Sequence, residues 1–450
     1  MNKPLSLDLY ELTMAQSYFI HKRSRRATFD LFIRTLPRNR SYLVACGLED
    51  VVRYLEGLCF SAQDCRYLAG LKLFSPAFLR FLRRFRFRGD LWAMPEGTPF
   101  FASEPVIRVT ASLIEAQIIE SALLNTVHLQ TLIASKAARV VHAAGGKKVF
   151  DFSLRRTHGS EAGLKAARAA YIAGCAGTSN CLAGQQYGIP VVGTMAHSYV
   201  QSFPGELDSF LAYAATYPDK SILLVDTYNT RRGVAHAVTV GRYLRERGHV
   251  LKGIRLDSGN LARLSQMARR QLDKAGLRDT LIFASGNLDE HAVASLRSRR
   301  AFIDSFGVGT NLGTSRDEPS LDIIYKISQV TDERGRFLPT MKLSRGKASY
   351  PGRKQVFRRF NARAEAAGDI LALENERIAG VPLLRCVLAG GRRRGKLPSL
   401  KAIRAYAQRS VASLPEELKR LSRRYRYPVT GSPKLEALRR KCTRTFSSTS

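Results

Sequence analysis

The sequence predicts an α/β protein: an irregular, TIM-like α/β barrel with an accompanying α+β domain that is built from the N-terminal and C-terminal segments. Three observations favour this fold. The 450 residues exceed the length at which a single hydrophobic core stops growing. Short apolar runs alternate with helical stretches through the middle of the chain. A long predicted helix separates that region from an N-terminal region of mixed strands and helices.

The alternating region predicts a parallel sheet. Seven apolar runs have the length and composition of buried strands, at 149–154, 174–178, 190–195, 222–226, 252–256, 281–285 and 302–308. Helical stretches separate the later runs, at 207–217, 233–247, 261–275 and 288–297. Such alternation is typical of βα units. Seven units favour a closed or nearly closed barrel.

The long helix is predicted over residues 112–135, where apolar residues recur at helical spacing. Before it, residues 28–34 and 91–109 are predicted as β-rich, and residues 48–58 and 76–85 as helical. We therefore expect four regions. They are an N-terminal α+β domain at 1–125, the barrel at 126–340, a C-terminal segment at 341–430 that completes the α+β domain, and a disordered basic tail at 431–450.

The charge is strongly positive, because 72 Lys and Arg stand against 37 Asp and Glu. A net charge of +35 raises the possibility of nucleic-acid binding. Residues 351–450 hold 24 of the basic and 7 of the acidic residues, without an RNP, zinc-finger or helix-turn-helix signature. Basic residues spread over amphipathic segments usually form a solvated face, so nucleic acid is not expected as the main partner. The positive field suits an anionic substrate.

A cytoplasmic location is expected from three sequence features. The first residues lack a signal-peptide apolar region. Apolar runs stay shorter than the roughly 18 residues that a membrane span needs. Seven cysteines without a CxxC pair suit reduced structural thiols in a cytosol.

Polar residues follow each of the seven predicted strands. The set is Arg155 and Arg156, Ser179 and Asn180, Thr194 with His197, Asp226 and Thr227, Asp257 to Gly259, Ser285 to Asn287, and Gly309 with Thr310. Barrel enzymes place their chemistry at the carboxyl ends of the strands. One such ending could be a helix N-cap, but seven on one rim favour a functional site.

Each of these motifs has a structural and a functional interpretation. Asp257-Ser258-Gly259-Asn260 is either an N-cap turn or an anion site, at which Asp257 holds a magnesium ion or ribose hydroxyls. Gly307-Val308-Gly309-Thr310 is either a packing turn or a phosphate loop. Arg155 is either an ordinary surface residue or an anion ligand. His197 is a nucleophile, a general base or a structural residue, since no Cys or second His lies at metal-ligand spacing.

Together these segments resemble the nicotinate phosphoribosyltransferase family, from Asp8 to about Arg358. The most specific matches are Asp8-Leu9-Tyr10-Glu11-Leu12-Thr13-Met14, residues 113–125, Phe152-Ser153-Leu154-Arg155-Arg156, Gly193-Thr194-Met195-Ala196-His197-Ser198, Arg255-Leu256-Asp257-Ser258-Gly259, Gly307-Val308-Gly309-Thr310 and Pro351-Gly352-Arg353-Lys354-Gln355-Val356.

The resemblance implies an ATP-dependent ligase of NAD biosynthesis with the type II phosphoribosyltransferase fold. Nicotinate would displace pyrophosphate from PRPP, while ATP is hydrolysed through a phosphohistidine at His197. Mg²⁺ is the implied cofactor, with no residue assigned as a dedicated metal ligand. The implied assembly is a homodimer with shared active sites.

The resemblance also implies roles for individual residues. Tyr10, from the second subunit, and Phe152 would stack on the pyridine ring, while Arg255 and Thr194 would hold nicotinate. PRPP and its phosphates would face Arg155, Asp257, Ser258, Gly259, Gly286, Gly309 and Thr310. Asp257 is also expected to be catalytic, together with His197.

Ser179 is expected to distinguish the acid from the amide. Related nicotinamide-using enzymes have an Asp at the aligned position, which would repel a carboxylate. Two residues depart from the family pattern: Ser153 replaces a frequent Gly and Asn260 a frequent Asp. The alternatives are a phosphoribosyltransferase for nicotinamide or another pyridine base, and an RNA-associated basic protein.

Overall fold

The structure is a computed structural model that describes residues 4–21, 25–343, 349–422 and 424–447. The chain divides into two compact units. Unit 1 combines residues 1–132 with residues 320–450, and unit 2 comprises residues 133–319. The sequence placed the corresponding boundaries at 125 and 340. The second boundary lies earlier because residues 323–331 pair antiparallel with a strand near the N-terminus.

The described residues contain the following helices: α1 Leu9–Ile20, α2 Leu48–Gly57, α3 Ala62–Gly70, α4 Pro76–Arg83, α5 Leu113–Ile118, α6 Glu120–Ala144, α7 Ser160–Ile172, α8 Cys181–Tyr187, α9 His197–Gln201, α10 Glu206–Thr216, α11 Thr230–Arg245, α12 Leu261–Lys274, α13 Glu290–Ser298, α14 Thr310–Gly313, α15 Leu400–Ala412, α16 Glu416–Lys419 and α17 Pro433–Ser447. A 3₁₀ turn spans Leu154–Arg156.

The strands of the described residues are β1 Arg26–Ile33, β2 Leu43–Val44, β3 Asp90–Ala93, β4 Pro99–Phe100, β5 Pro105–Ser112, β6 Lys148–Asp151, β7 Gly177–Thr178, β8 Ile222–Leu224, β9 Gly253–Leu256, β10 Leu281–Ala284, β11 Ser305–Val308, β12 Ile323–Thr331, β13 Phe337–Pro339, β14 Lys354–Phe360, β15 Ala366–Leu373, β16 Val381–Pro382, β17 Arg385–Ala389, β18 Arg392–Arg393 and β19 Val429–Gly431.

Unit 1 is built around a seven-stranded sheet in the order β13-β12-β1-β5-β3-β17-β18. Strand β1, in the interior of this sheet, is buried along nearly its whole length and pairs antiparallel with both β12 and β5. Strand β17 pairs with β3, so residues from both ends of the chain share this sheet. A second sheet, in the order β16-β14-β15-β19, contains C-terminal strands only.

Unit 2 contains a six-stranded parallel sheet in the order β7-β6-β11-β10-β9-β8. The predicted parallel sheet is therefore confirmed. Helices that alternate with the strands return the chain to the same edge of the sheet, so successive strands run in one direction. Six of the seven predicted runs form strands. The seventh, at 190–195, contributes only an isolated parallel bridge between Thr178 and Val191. Among the described residues the strands do not close into a barrel, so the predicted barrel is not confirmed.

The predicted helices of unit 2 are confirmed as α10 to α13, with ends within three residues of the predicted ones. The long predicted helix begins as α5 and continues as α6 after an interruption at Ile119. None of the helices in the described ranges is long and apolar enough to cross a membrane.

The C-terminal region corrects two predictions. The basic helix expected near residues 415–425 is limited to the short α16, and α15 precedes it. The predicted disorder of 431–450 is wrong for residues 431–447, and the remaining three lie outside the described residues. Strand β19 joins the second sheet, and α17 buries Leu435 and Cys442. Burial of these side chains stabilises a segment whose charge alone suggested disorder.

Helix α1 carries a buried carboxyl group, that of Glu11. Its Oε1 accepts hydrogen bonds from the backbone N–H and the hydroxyl of Ser121, whereas Oε2 has no partner in the described part of the chain. Burial raises the pKa of Glu11 to about 7 against the lowering effect of the Ser121 bonds, and the charges of Glu120 and Asp8 add to the rise. Ionised Glu11 therefore opposes folding.

We expect the Glu11→Gln variant to be more stable than the wild type at alkaline pH. The raised folded-state pKa means that Glu11 contributes stability below its ordinary pKa of 4.5 and loses it as the pH rises through about 7. The variant should gain about 1–3 kcal/mol at about pH 8 and almost nothing at about pH 4. Thermal unfolding across this range measures the difference. Glu333→Gln, at a carboxylate that is 89% exposed, is the control; an equal response of both variants would contradict the prediction.

Candidate active site

The carboxyl ends of the parallel strands of unit 2 carry the polar residues that the sequence singled out. Parallel strands place these ends at one edge of the sheet, where α/β proteins bind ligands. The residues that follow the strands are Phe152 after β6, Ser179 after β7, Asp226 after β8, Asp257 after β9, Gly286 after β10 and Thr310 after β11. The predicted edge is therefore present in the open sheet.

Arg255 connects three segments at this edge. Its Nε donates to the Ser285 hydroxyl at 2.7 Å, its Nη1 to the Thr194 hydroxyl at 3.0 Å and its Nη2 to Asp257 Oδ1 at 2.6 Å. The side chain is 15% exposed. A planar guanidinium with fixed donor directions suits this role, because each partner holds it in one orientation. The sequence predicted Arg255, Thr194 and Asp257; Ser285 joins them.

Asp257 is held as a carboxylate by these contacts. Burial raises its pKa, but hydrogen bonding from Ser285 and the charge and hydrogen bond of Arg255 outweigh that effect. The pKa of Asp257 consequently lies below its ordinary value. At neutral pH the residue therefore presents a negative charge whose Oδ2 is directed toward His197.

His197 begins helix α9 and lies between two of the strand ends. Its Nδ1 is 3.1 Å from the Thr227 hydroxyl, and its Nε2 is 3.9 Å from Asp257 Oδ2. The imidazole is 42% exposed, so one edge is open to a ligand. The histidine is thus oriented by one hydroxyl and lies near one carboxylate, an arrangement suited to an imidazole that accepts or donates a group at Nε2.

Asp226 supports the same edge, and the sequence assigned it no role beyond its strand-end position. Its Oδ2 accepts from the backbone N–H of Asp257 at 2.8 Å and from the Ser258 hydroxyl at 2.7 Å. Its Oδ1 is buried without a partner in the described ranges. The sequence feature that could have indicated this role is a charged residue directly after an apolar strand, next to Thr227. The hydrogen bond from the Asp257 N–H, at the end of the neighbouring strand, could be found only in the folded structure.

The aromatic side of the edge is formed by Phe152. Its ring stacks on Phe283 with centroids 5.5 Å apart, and the Arg255 guanidinium lies 5.6 Å from its centroid. A Cβ added at Gly307 would come within 2.8 Å of both rings. Glycine is required there because the two rings occupy the space of a side chain. The result is a ring face beside a cation.

The glycine loops lie where the sequence predicted them. Gly286 has φ +92°, and a Cβ there would lie 1.8 Å from the carbonyl oxygen of Asp257. Gly259 also has a left-handed φ, +76°. Gly309 directly precedes α14, which Thr310 begins. Only glycine allows the close approach of the 286 loop to the 257 loop.

The remaining predicted residues have fewer contacts. Ser179 is half-buried, and its N–H donates to the carbonyl of Asp151. Arg155 is exposed in the 3₁₀ turn. Tyr10 lies in unit 1, on α1, with 46% of its surface exposed.

The two departures from the family pattern have structural explanations. Asn260 caps α12, because its Oδ1 accepts from the N–H of Arg263 at 3.2 Å. Ser153 is buried, and its Cβ would lie 2.3 Å from a Cβ added at Gly313. A serine, which is larger than the glycine of the family pattern, therefore fits at position 153 because residue 313 opposite it is a glycine.

Comparisons with known proteins match most of the chain. Residues 5–128 match a family model described as the nicotinate phosphoribosyltransferase N-terminal domain, residues 147–334 the nicotinate phosphoribosyltransferase family, and residues 379–439 the nicotinate phosphoribosyltransferase C-terminal domain. Nicotinate phosphoribosyltransferase pncB2 of Mycobacterium tuberculosis is 49% identical over 96% of this chain and 92% of its own length. The Bacillus subtilis nicotinate phosphoribosyltransferase is 39% identical over 94% and 92%.

Solved structures agree with the sequence matches. The crystal structure of human nicotinic acid phosphoribosyltransferase superposes with a TM-score of 0.87 at 31% identity, covering 96% of this chain and 99% of that one. The crystal structure of nicotinate-nucleotide pyrophosphorylase from Pyrococcus furiosus superposes with a TM-score of 0.73 at 26% identity, covering 91% of this chain and 95% of that one. With a 49% identical relative over nearly its full length and three matching domain models, the chain belongs to the nicotinate phosphoribosyltransferase family.

Proposed function

We propose that this protein is an ATP-dependent ligase of NAD biosynthesis, a nicotinate phosphoribosyltransferase. The pyridine nitrogen of nicotinate forms a bond to C1 of the PRPP ribose, and the bond from C1 to pyrophosphate breaks. ATP and water yield ADP and phosphate in the coupled reaction. The observation that carries the proposal is the Arg255 network, which places a cation, an aromatic face and His197 at one edge of the sheet.

Nicotinate recognition follows from charge and ring contacts. The carboxylate of nicotinate pairs with Arg255, and the Thr194 hydroxyl that Arg255 holds is a second donor. The pyridine ring stacks on Phe152, with Tyr10 of a second subunit on its other face. Support for Tyr10 is its exposed ring at the start of α1. The active enzyme in this proposal is therefore a homodimer with shared sites.

PRPP occupies the loops after the strands. Asp257 binds ribose hydroxyls, and backbone groups at Ser258, Gly259, Gly286, Gly309 and Thr310 approach the phosphates. Arg155 supplies an exposed guanidinium for the same anion. As pyrophosphate leaves, C1 gains positive character, which the Asp257 carboxylate stabilises. Catalysis thus consists of positioning and charge stabilisation.

Mg²⁺ fits the oxygen donors at this edge. Asp226 Oδ1 is buried without a partner in the described residues. The Asp226 carboxylate would hold Mg²⁺ together with substrate phosphates, since Mg²⁺ commonly binds through one or two carboxylates. When bound, the ion neutralises phosphate charge.

His197 accepts the γ-phosphoryl group of ATP at Nε2 in this proposal. The bond from the γ-phosphorus to the bridging oxygen breaks as the bond to Nε2 forms, and water later cleaves the phosphohistidine. Thr227 at Nδ1 favours this assignment, because it leaves Nε2 as the open nitrogen. Neighbouring Asp257 stabilises positive charge on the imidazole.

The direct test of the function is a steady-state assay. Purified protein with Mg²⁺ and PRPP should convert nicotinate to nicotinate mononucleotide, and ATP should increase the conversion. Nicotinamide should react much more slowly. Conversion of nicotinamide without conversion of nicotinate would replace the proposal by the amide-using alternative. An inactive protein that binds RNA tightly at physiological salt would replace it by the RNA-associated alternative.

We expect the His197→Ala variant to lose ATP coupling more than basal transfer. Incubation with γ-labelled ATP should leave acid-labile label on the wild type and none on the variant. His249→Ala is the control, since His249 is a surface imidazole paired with Asp219. Acid-labile label that persists in His197→Ala would refute the phosphohistidine at this position.

We expect the Ser179→Asp variant to bind nicotinate less well. A carboxylate at this position would repel the substrate carboxylate, raising the KM for nicotinate by about tenfold or more, roughly 1.4 kcal/mol. The KM for PRPP should change less. Ser179→Asn introduces nearly the same volume without charge and is the matched control. Equal losses in the two variants would show that size, not charge, matters at this position.

A further inference from the structure

We propose that Asp151 is a positioning residue of the transferase reaction: its carboxyl group fixes the Phe152 ring and Ser179 relative to each other, and through them the bound nicotinate. Asp151 ends β6, directly before Phe152, and pairs in register with Thr178 on the neighbouring parallel strand β7. The inference rests on the proposed function, in which Phe152 stacks on the pyridine ring and Ser179 lies near the substrate carboxylate.

The carboxyl group of Asp151 connects two strand ends. Its Oδ1 accepts from the backbone N–H of Ser153 at 3.0 Å, and its Oδ2 accepts from the Thr178 hydroxyl at 2.7 Å. The first bond closes a tight turn around Phe152, because it joins the residues on either side of it. The second bond ties this turn to β7, and Ser179 directly follows that strand.

Further hydrogen bonds hold Ser179 against the same residue. The N–H of Ser179 donates to the Asp151 carbonyl at 2.9 Å. The Thr178 hydroxyl, which donates to Asp151, also accepts from the N–H of Asn180 at 3.1 Å. Ser179 is therefore held by its own N–H and by the turn that Thr178 closes around it. The two strand ends consequently form one hydrogen-bonded unit.

Asp151 itself does not contact substrate in this arrangement. The residue is 1% exposed, and both of its carboxyl oxygens already accept hydrogen bonds. Burial raises the pKa of the carboxyl group, and the hydrogen bonds from Ser153 and Thr178 oppose that rise. Burying an ionisable group costs free energy that an apolar residue of similar size would avoid. The carboxyl group contributes orientation instead, because its two oxygens accept from two segments at once.

Orientation is important here because Phe152 and Ser179 face different parts of nicotinate. Stacking requires the Phe152 ring to lie over the pyridine ring, while Ser179 has to lie near the carboxylate. The Phe283 ring, with its centroid 5.5 Å from that of Phe152, supports the Phe152 ring from one side. The Asp151 turn holds the backbone from which the Phe152 ring projects. A displacement of either residue would weaken the binding of nicotinate more than the binding of PRPP.

Steady-state kinetics of Asp151→Asn and Thr178→Val test the proposal. Asn keeps the shape of Asp but replaces one acceptor by a donor, and Val keeps the shape of Thr without the hydroxyl. We expect each variant to raise the KM for nicotinate about tenfold. The KM for PRPP should change much less, because most of the proposed PRPP ligands follow other strands. Thr178→Ser, which retains the hydroxyl, should restore a nicotinate KM near that of the wild type.

A double-mutant cycle with Phe152→Leu separates positioning from stability. Leu removes the aromatic face, so Asp151→Asn should raise the nicotinate KM of the Phe152→Leu protein by about twofold at most. A purely structural effect would instead multiply with that of Phe152→Leu. Val293→Ala, at a buried residue of α13, is the control for destabilisation. It should lower the temperature of thermal unfolding and leave the nicotinate KM unchanged.

The outcomes separate this inference from the proposed function. If the wild type converts nicotinate and both Asp151→Asn and Thr178→Val keep its nicotinate KM, the positioning role is overturned and the proposed function stands. Equal increases in the KM values for nicotinate and PRPP would also overturn it, as would a Thr178→Ser effect as large as that of Thr178→Val. A wild type that does not convert nicotinate would overturn both. If circular dichroism shows that Asp151→Asn does not fold, the two Thr178 variants decide.

Discussion

The ion pair between Arg255 and Asp257 is the interaction on which the candidate active site depends. The two side chains leave the same strand end, and Arg255 reaches from there to Ser285 and Thr194. Burying a charge is unfavourable unless a partner compensates it. Here the compensation comes from neighbouring segments, so the pair also fixes how those segments are arranged.

Asp226 extends this arrangement to the next strand. By accepting from the backbone of Asp257 and the hydroxyl of Ser258, it couples the end of β8 to the end of β9. The adjacent Thr227 contacts His197. Asp226 thus positions the Asp257 segment, and the adjacent Thr227 orients the His197 imidazole. The proposed phosphoryl acceptor, His197, is therefore positioned by a side chain that need not contact substrate.

The sheet of unit 1 differs from that of unit 2 because it pairs strands that are far apart in sequence. Strand β1 pairs with β12 about 300 positions later, and β3 pairs with β17 at a similar separation. Those pairings explain why the boundary at 340 was misplaced: residues 323–331 are apolar enough to continue a βα series, but their partner is β1. The periodicity of a strand does not identify its neighbour.

Local periodicity was enough to predict the parallel sheet and the helices between its strands, and the common direction of parallel strands was enough to predict the polar residues at its edge. The motif resemblance supplied His197, Phe152 and Arg255. Three features depend on long-range packing and were found only in the folded chain: the sheet is open, the 190–195 run forms a single bridge, and residues 433–447 form a packed helix. The contacts of Ser285 and Asp226 likewise were found only in the folded chain, since hydrogen bonds between strand ends depend on three-dimensional distance and leave no local pattern in the sequence.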